Sequence, residues 1–125
     1  MQNYFFIKDR IDYVQIRFSD ILYIETVNRY VRFVTSFAAY LTEGSLCELE
    51  AQLPSNEFCR IHRSHIVSLN RIKRFNTKEV TIGDKQLPVG KRYWHALSAK
   101  VLVVFRDSLH VKKVRPNVFS ELNHN

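Results

Sequence analysis

Glycine is scarce in this chain, with three residues among 125, and proline is equally rare. Three glycines leave no stretch able to wrap backbone N–H groups around a phosphate, and G-x-x-x-x-G-K-[S/T] is absent. The same scarcity, with 46% hydrophobic residues, excludes a low-complexity chain and predicts a single compact domain with its own core. Cysteine is limited to Cys47 and Cys59. Two cysteines cannot build a disulfide framework, and both are expected to be buried, reduced thiols. Long apolar runs are missing as well: Val101 to Phe105 falls far short of the roughly 20 residues that span a bilayer. No charged segment after Met1 leads into an apolar signal core, so a cytoplasmic location without membrane contact is expected. Neither G-x-S-x-G nor H-E-x-x-H occurs, and no nucleophile with its base or pair of carboxylates stands out, so no enzyme is expected.

Charge is present and unevenly spread. Residues 1–55 hold five Lys and Arg against seven Asp and Glu, whereas residues 56–125 hold fourteen against five, a net −2 beside a net +9. A field of that sign draws in polyanions and speeds their encounter. Many basic domains bind nothing acidic, however, so charge alone leaves the partner open.

Hydropathy patterning predicts a strand-rich fold. Tyr4 to Lys8 reads as a strand broken by Asp9 and Arg10. Ile11 to Phe18 alternates, with a slip between Ile11 and Val14 that a bulge would explain. Ser19 and Asp20 turn the chain into a strand from Ile21 to Glu25, and the polar loop Thr26 to Arg29 leads into Tyr30 to Thr35. A short strand, Ala39 to Thr42, precedes a helix whose Leu46, Cys47, Leu49 and Leu53 share one face. Ser45 with Glu48 is a capping box there, and Pro54 stops the helix. Further strands follow at Phe58 to Ile61 and Ile66 to Leu69, then a hairpin tipped by Asn76 to Glu79 and a turn at Gly83 and Asp84. A last helix opens near Lys91 with Tyr93, Leu97, Val101 and Val104 in its stripe.

The most informative stretch is Phe58 to Ile72, FCRIHRSHIVSLNRI. His62, Arg63, Ser64 and His65 form a polar segment flanked by apolar anchors. A guanidinium forks onto paired acceptors and a hydroxyl donates or accepts, which suits phosphates and base edges. The spacing C-x2-H-x2-H over Cys59, His62 and His65 suggests zinc. On an extended strand, though, a spacing of three puts successive ligands on opposite faces, and no fourth ligand is near, so neither metal nor cofactor is expected.

The run Arg60, His62, Arg63, Ser64, Ile66, Val67 resembles the R-x-H-R-S-x-I-V-N signature of the LytTR family, the DNA-binding output domains of many bacterial response regulators. Ser68 stands where the family often has asparagine, with Asn70 two positions later. Two more segments are similar: F-S-D-I-L-Y-I-E followed by Y-V-R-F, and L-P-V-G-K-R-Y from Leu87 to Tyr93, where Gly90 replaces a common serine. The resemblance runs from about Phe5 to about Val104. It implies a mainly β fold with short helices, an elongated arrangement of antiparallel sheets, with 1–104 as the DNA-binding domain and 105–125 as a partly flexible C-terminal extension.

By the same resemblance, Asn28, Arg29 and Tyr30 enter a major groove, Arg63 with His62, Ser64 and His65 forms a second contact, and Arg92 a third, with Lys91 on phosphate. Asparagine pairs bidentately with adenine and arginine with guanine. The residues alone also permit Asn28 to hold a left-handed turn, and Arg29, Lys91 and Arg92 to be solvated surface charges. The resemblance further implies double-stranded DNA with direct-repeat sites, pairing on DNA, and an upstream receiver domain or histidine-kinase pathway. The receiver's marks, an acidic cluster at a strand end and a parallel βα repeat, are absent from this sequence. The competing expectation is a β-rich protein-interaction or small-ligand sensor domain with a basic surface.

Overall fold

The computed structural model describes residues 2–117. Among these, ten strands form three antiparallel sheets. Strands β1 (Tyr4–Asp9) and β2 (Asp12–Arg17) make a ribbon. A five-stranded sheet has the order β5-β4-β3-β7-β6, built from β3 (Ile21–Val27), β4 (Tyr30–Thr35), β5 (Ala39–Glu43), β6 (Phe58–His62) and β7 (His65–Ser68). Strands β8 (Arg74–Phe75), β9 (Glu79–Ile82) and β10 (Lys85–Pro88) form the third sheet. Helix α1 (Leu46–Glu50) links β5 to β6, and α2 (Trp94–Lys100) follows β10. No helix among the described residues is long and apolar enough to cross a membrane.

The central sheet is buried on both faces, and the two-residue period of its strands sorts their side chains between two cores. On one side Ile24, Val31, Phe33, Phe58 and Ile66 pack with Ile16 and Phe18 and with Leu46 and Leu53 beside α1. Phe5 stacks on Phe18 at 5.3 Å between ring centroids, tying the ribbon to this layer. On the other side Tyr23, Cys59, Ile61 and Val67 pack against Val80, Ile82 and Leu87 of the third sheet and Leu97 of α2. Neighbours in sequence therefore face opposite cores: Tyr23 and Ile24, Cys59 and Phe58, Val67 and Ile66.

Several local expectations change. No bulge interrupts β1 and β2, whose register runs unbroken from Tyr4 opposite Arg17 to Asp9 opposite Asp12. Ile11 lies instead in the turn, beside Arg10 at φ 59°, and is 90% exposed. Helix α1 is one turn and a half rather than a helix reaching Leu53, which narrows its buried face and leaves Cys47 exposed; Cys59 alone of the two free thiols is buried. Ser45 caps α1 by accepting from the Glu48 N–H at 3.2 Å, but its hydroxyl donates to the Glu48 carboxylate at 3.0 Å, so the reciprocal bond of a capping box to the Ser45 backbone is replaced. Helix α2 ends at Lys100, since Val101 is extended and three of the residues 101–104 are β-branched valines, which disfavour a helix; Val104 is exposed rather than part of the stripe. The last residues of the expected C-terminal extension, 118–125, lie outside the described ones.

Ile24 and Ile66 face each other across β3 and β7 in the middle of the first core. Ile24→Ala and Ile66→Ala should each cost about 2–5 kcal/mol of unfolding free energy, read by urea denaturation. A loss well under ~1 kcal/mol in both would show that this face is not a close-packed core.

Candidate nucleic-acid interface

Three turns meet at one end of the central sheet. The first joins β3 to β4. Val27 pairs with Tyr30, so the turn is two residues, Asn28 and Arg29, rather than a loop from Thr26. Asn28 has φ 57°, a left-handed conformation that asparagine tolerates because its short amide can bond locally. The backbone thus accounts for an asparagine at 28, and the side chains of Asn28, Arg29 and Tyr30 all remain exposed.

The second turn, Arg63 and Ser64, joins β6 to β7. His62 and His65, expected in a four-residue polar segment, are its flanking strand residues and pair across it. The register shifts between Arg60 and His62, making Ile61 an extra residue in β6. The Ser64 N–H donates to His62 Nδ1 at 3.1 Å, and the Thr26 N–H donates to the Ser64 carbonyl at 3.0 Å. This ties the second turn to the strand carrying the first. Below it, Arg60 donates through Nε to the His62 carbonyl at 2.9 Å, through Nη2 to the Arg63 carbonyl, and through Nη1 to Glu50 at 3.0 Å.

The third element follows β10. The Gly90 N–H donates to the Ile61 carbonyl at 2.8 Å, using the carbonyl of the extra residue. Lys91 to Tyr93 then form a single 3-10 turn into α2, with Lys91 and Arg92 exposed. Gly90 provides no side-chain cap, as its residue type requires. A Cβ there would come within 3.0 Å of the Tyr93 ring and 3.7 Å of His62, so the glycine lets these two elements approach. Arg92 and Arg60 both lie over the Tyr93 ring, at 5.7 and 5.9 Å from its centroid.

Asn28, Arg29, Tyr30, His62, Arg63, Ser64, His65, Lys91 and Arg92 are therefore brought to one end of the molecule. Arg60, Glu25 and Tyr93 stand in the segments that resemble the family but were not among the expected contact residues, and neither was Lys85. Arg60 carried a signal, being a charged residue between the apolar Cys59 and Ile61. Lys85 had none; it is exposed at the β9–β10 turn, close enough for its charge to act on His65. The cations divide into two kinds. Arg32 and Arg60 pair with Glu25 and Glu50, each at 3.0 Å. Among the described residues Arg29, Arg63, Lys85, Lys91 and Arg92 enter no ion pair, which leaves their donors for acceptors on another molecule.

The histidines pose a different chemistry. The extended strand expected for the zinc spacing is not continuous from Cys59 to His65: the chain reverses at Arg63 and brings the His62 and His65 rings to 5.5 Å. Cys59 lies in the second core, where burial pushes its thiol up, away from the thiolate that metals need. No group of three His, Cys, Asp or Glu among the described residues could hold a metal ion. His65 has its Nδ1 buried without a partner and its Nε2 at 3.5 Å from Glu25. Burial pushes its imidazole below the ordinary 6.5, with the charges of His62 and Lys85 acting the same way and Glu25 opposing them.

The family model for the LytTr DNA-binding domain matches residues 12–101. The chain is similar to the sensory transduction protein LytT of Bacillus cereus, 37% identical over 59 residues, which is 47% of this chain and 24% of that protein. It is 36% identical over 59 residues to the CO-responsive transcriptional regulator RcoM of Rhodospirillum rubrum, covering 47% of this chain and 25% of that one. A response regulatory protein of Vibrio cholerae is 35% identical over 89 residues, 64% of this chain and 34% of its own length. The matched region thus spans between about a quarter and about a third of the length of these relatives. A solved LytTr DNA-binding domain from Bacillus cereus superposes with a TM-score of 0.69 at 23% identity, covering 80% of this chain and 97% of that one. That likeness establishes the mainly β, antiparallel fold.

A histidine whose native pKa lies below its unfolded value binds protons more readily when unfolded. Its contribution to stability is complete above 6.5 and is lost as pH falls through the lower native value. Unfolding free energy should therefore drop as pH falls below 6.5 toward the lower native value, with an NMR titration of His65 centred below 6.5. In Glu25→Gln, which removes the opposing influence, the His65 midpoint should move lower still. A His65 midpoint above 6.5 would mean that Glu25 outweighs burial.

Proposed function

We propose, from the premise that the chain belongs to the LytTR family of DNA-binding domains, that it reads double-stranded DNA in a sequence-specific way as the output part of a bacterial transcription regulator. The observation that carries this reading is the convergence of three short turns, each fastened to the core by backbone hydrogen bonds, that expose Asn28, Arg29, Arg63, Lys91 and Arg92 at one end. Fixed turns suit base readout, because a bidentate contact discriminates only when its donors are held in place.

In this reading Asn28 and Arg29 with Tyr30 enter one major groove, Arg63 with Ser64 and the flanking His62 and His65 contacts the duplex beside it, and Arg92 reads a further step while Lys91 meets phosphate. Lys85 joins as an additional phosphate contact. No helix lies in a groove. Residues 1–104 form the reading domain, two copies occupy direct-repeat sites, and the regulator acts in the cytoplasm downstream of a receiver domain or histidine kinase. The relatives named as a transcriptional regulator, a sensory transduction protein and a response regulatory protein support that setting. The chain carries out no catalysis and takes no cofactor in this role.

Selection from a random duplex library at near-physiological salt tests the reading. A repeated motif should emerge, and Arg63→Ala should weaken binding to it by about 1–3 kcal/mol while relaxing preference at one base step. Lys91→Ala should weaken all duplexes alike and reduce the slope of log K against log salt by about 0.9. Binding that follows charge alone, with no motif recovered, would overturn sequence-specific reading.

A further inference from the structure

Arg60 differs from every other cation at the reading end. Its side chain keeps 11% exposure, and all three guanidinium nitrogens have acceptors: the His62 carbonyl, the Arg63 carbonyl and the Glu50 carboxylate. The planar fork is thereby fully engaged and its charge neutralised, which makes it a poor ligand for phosphate or base. Two of its acceptors are the backbone carbonyls of His62, the last strand residue before the second turn, and of Arg63, the first residue of that turn, just past the extra residue Ile61. Its guanidinium carbon lies over the Tyr93 ring, as does that of Arg92. The Ile61 carbonyl, held by Gly90, supplies a second tie between the same two elements.

We propose that Arg60 is a positioning residue for sequence selectivity: it makes the Arg63–Ser64 turn and the Lys91–Arg92 turn one rigid unit without itself touching DNA. The proposal rests on the reading that these two turns meet the duplex. Lysine cannot take its place, since a single ammonium has neither the fork that spans two carbonyls nor the flat face for Tyr93. Loss of the fork lets Arg63 and Arg92 drift independently, and displacements of the order of an ångström are enough to spoil bidentate contacts.

The test compares the parent chain with Arg60→Lys in two ways. In the free proteins, amide hydrogen exchange at Ser64, Thr26 and Gly90 should quicken in the variant, while amides of β4 keep their parental rates. On DNA, the affinity ratio between the selected duplex and a scrambled one should fall about tenfold, with affinity for the scrambled duplex and the salt slope unchanged. Equal losses on both duplexes, or a slope reduced by about 0.9, would make Arg60 a phosphate ligand and overturn the proposal. Parental exchange together with parental selectivity would overturn it too. If the parent itself does not discriminate between duplexes, the DNA reading fails, and exchange still decides whether Arg60 holds the turn. Should Arg60→Lys not fold, Tyr93→Leu removes the shared ring and leaves the carbonyl bonds in place. Reduced selectivity at the parental salt slope is expected there, and parental selectivity would overturn the coupling.

Discussion

Strands β3 and β7 lie side by side in the middle of a sheet covered on both faces, and their pairing admits one register. Tyr23 opposite Val67 faces one core and Ile24 opposite Ile66 faces the other. A slip of one residue would exchange the two sets and push Glu25 and His65 toward an apolar layer. The site depends on this because both reading turns run directly from that pair: β3 ends at Val27, just before Asn28, and β7 begins at His65, just after Ser64. The position of the turns is thus a by-product of core packing, with few degrees of freedom left to the turns themselves.

Charge is managed on the same plan. The acidic half of the chain contributes Glu25 and Glu50, and both point into the basic half, to His65 and Arg60. Arg60, a partly buried cation, needs such a partner, because a desolvated charge without one is costly, while at His65 Glu25 offsets part of what burial does to the protonated ring. Exposed cations need none, and a surface pair would contribute little. Of the seven carboxylates in the first 55 residues, Glu25 and Glu50 thus act beneath the reading surface. The face left outward keeps its positive field, the condition for drawing in a polyanion.

Strand existence was legible in the sequence wherever alternation was clean. The expected span of the fourth strand, Tyr30 to Thr35, agrees with the structure at both ends, and the hairpin at Gly83 and Asp84 lies where the turn residues put it. Alternation reports which residues share a face but not which strands become neighbours, so the pairing of β3 with β7, across some forty residues and an intervening helix, could not be read. Ile11 misled because an apolar residue in a tight turn looks like a strand residue out of step. Cys47 misled because one and a half turns of helix bury a narrower stripe than a longer helix would. In the candidate site the exposed side chains were legible from their chemistry and from the family signature. The supporting role beneath them was not: Arg60 and Tyr93 stand in the segments that resemble the family, but bonds to carbonyls and a shared ring leave no mark in residue type or spacing.

The two turns that join paired strands are each two residues long, closed by Val27 opposite Tyr30 and His62 opposite His65. An inserted or deleted residue in either would open the closing pair and shift the strand that lies between the two cores. Divergence among such domains is therefore channelled into changes of residue type at fixed positions, and a new recognition preference must arise by exchanging side chains on a constant frame. Lengthening a loop to probe a new surface is a route open to antibody-like scaffolds and closed to this one. The repertoire of sites such a chain can evolve to recognise is bounded by the combinations of side chains at a few positions, which makes it small enough to enumerate.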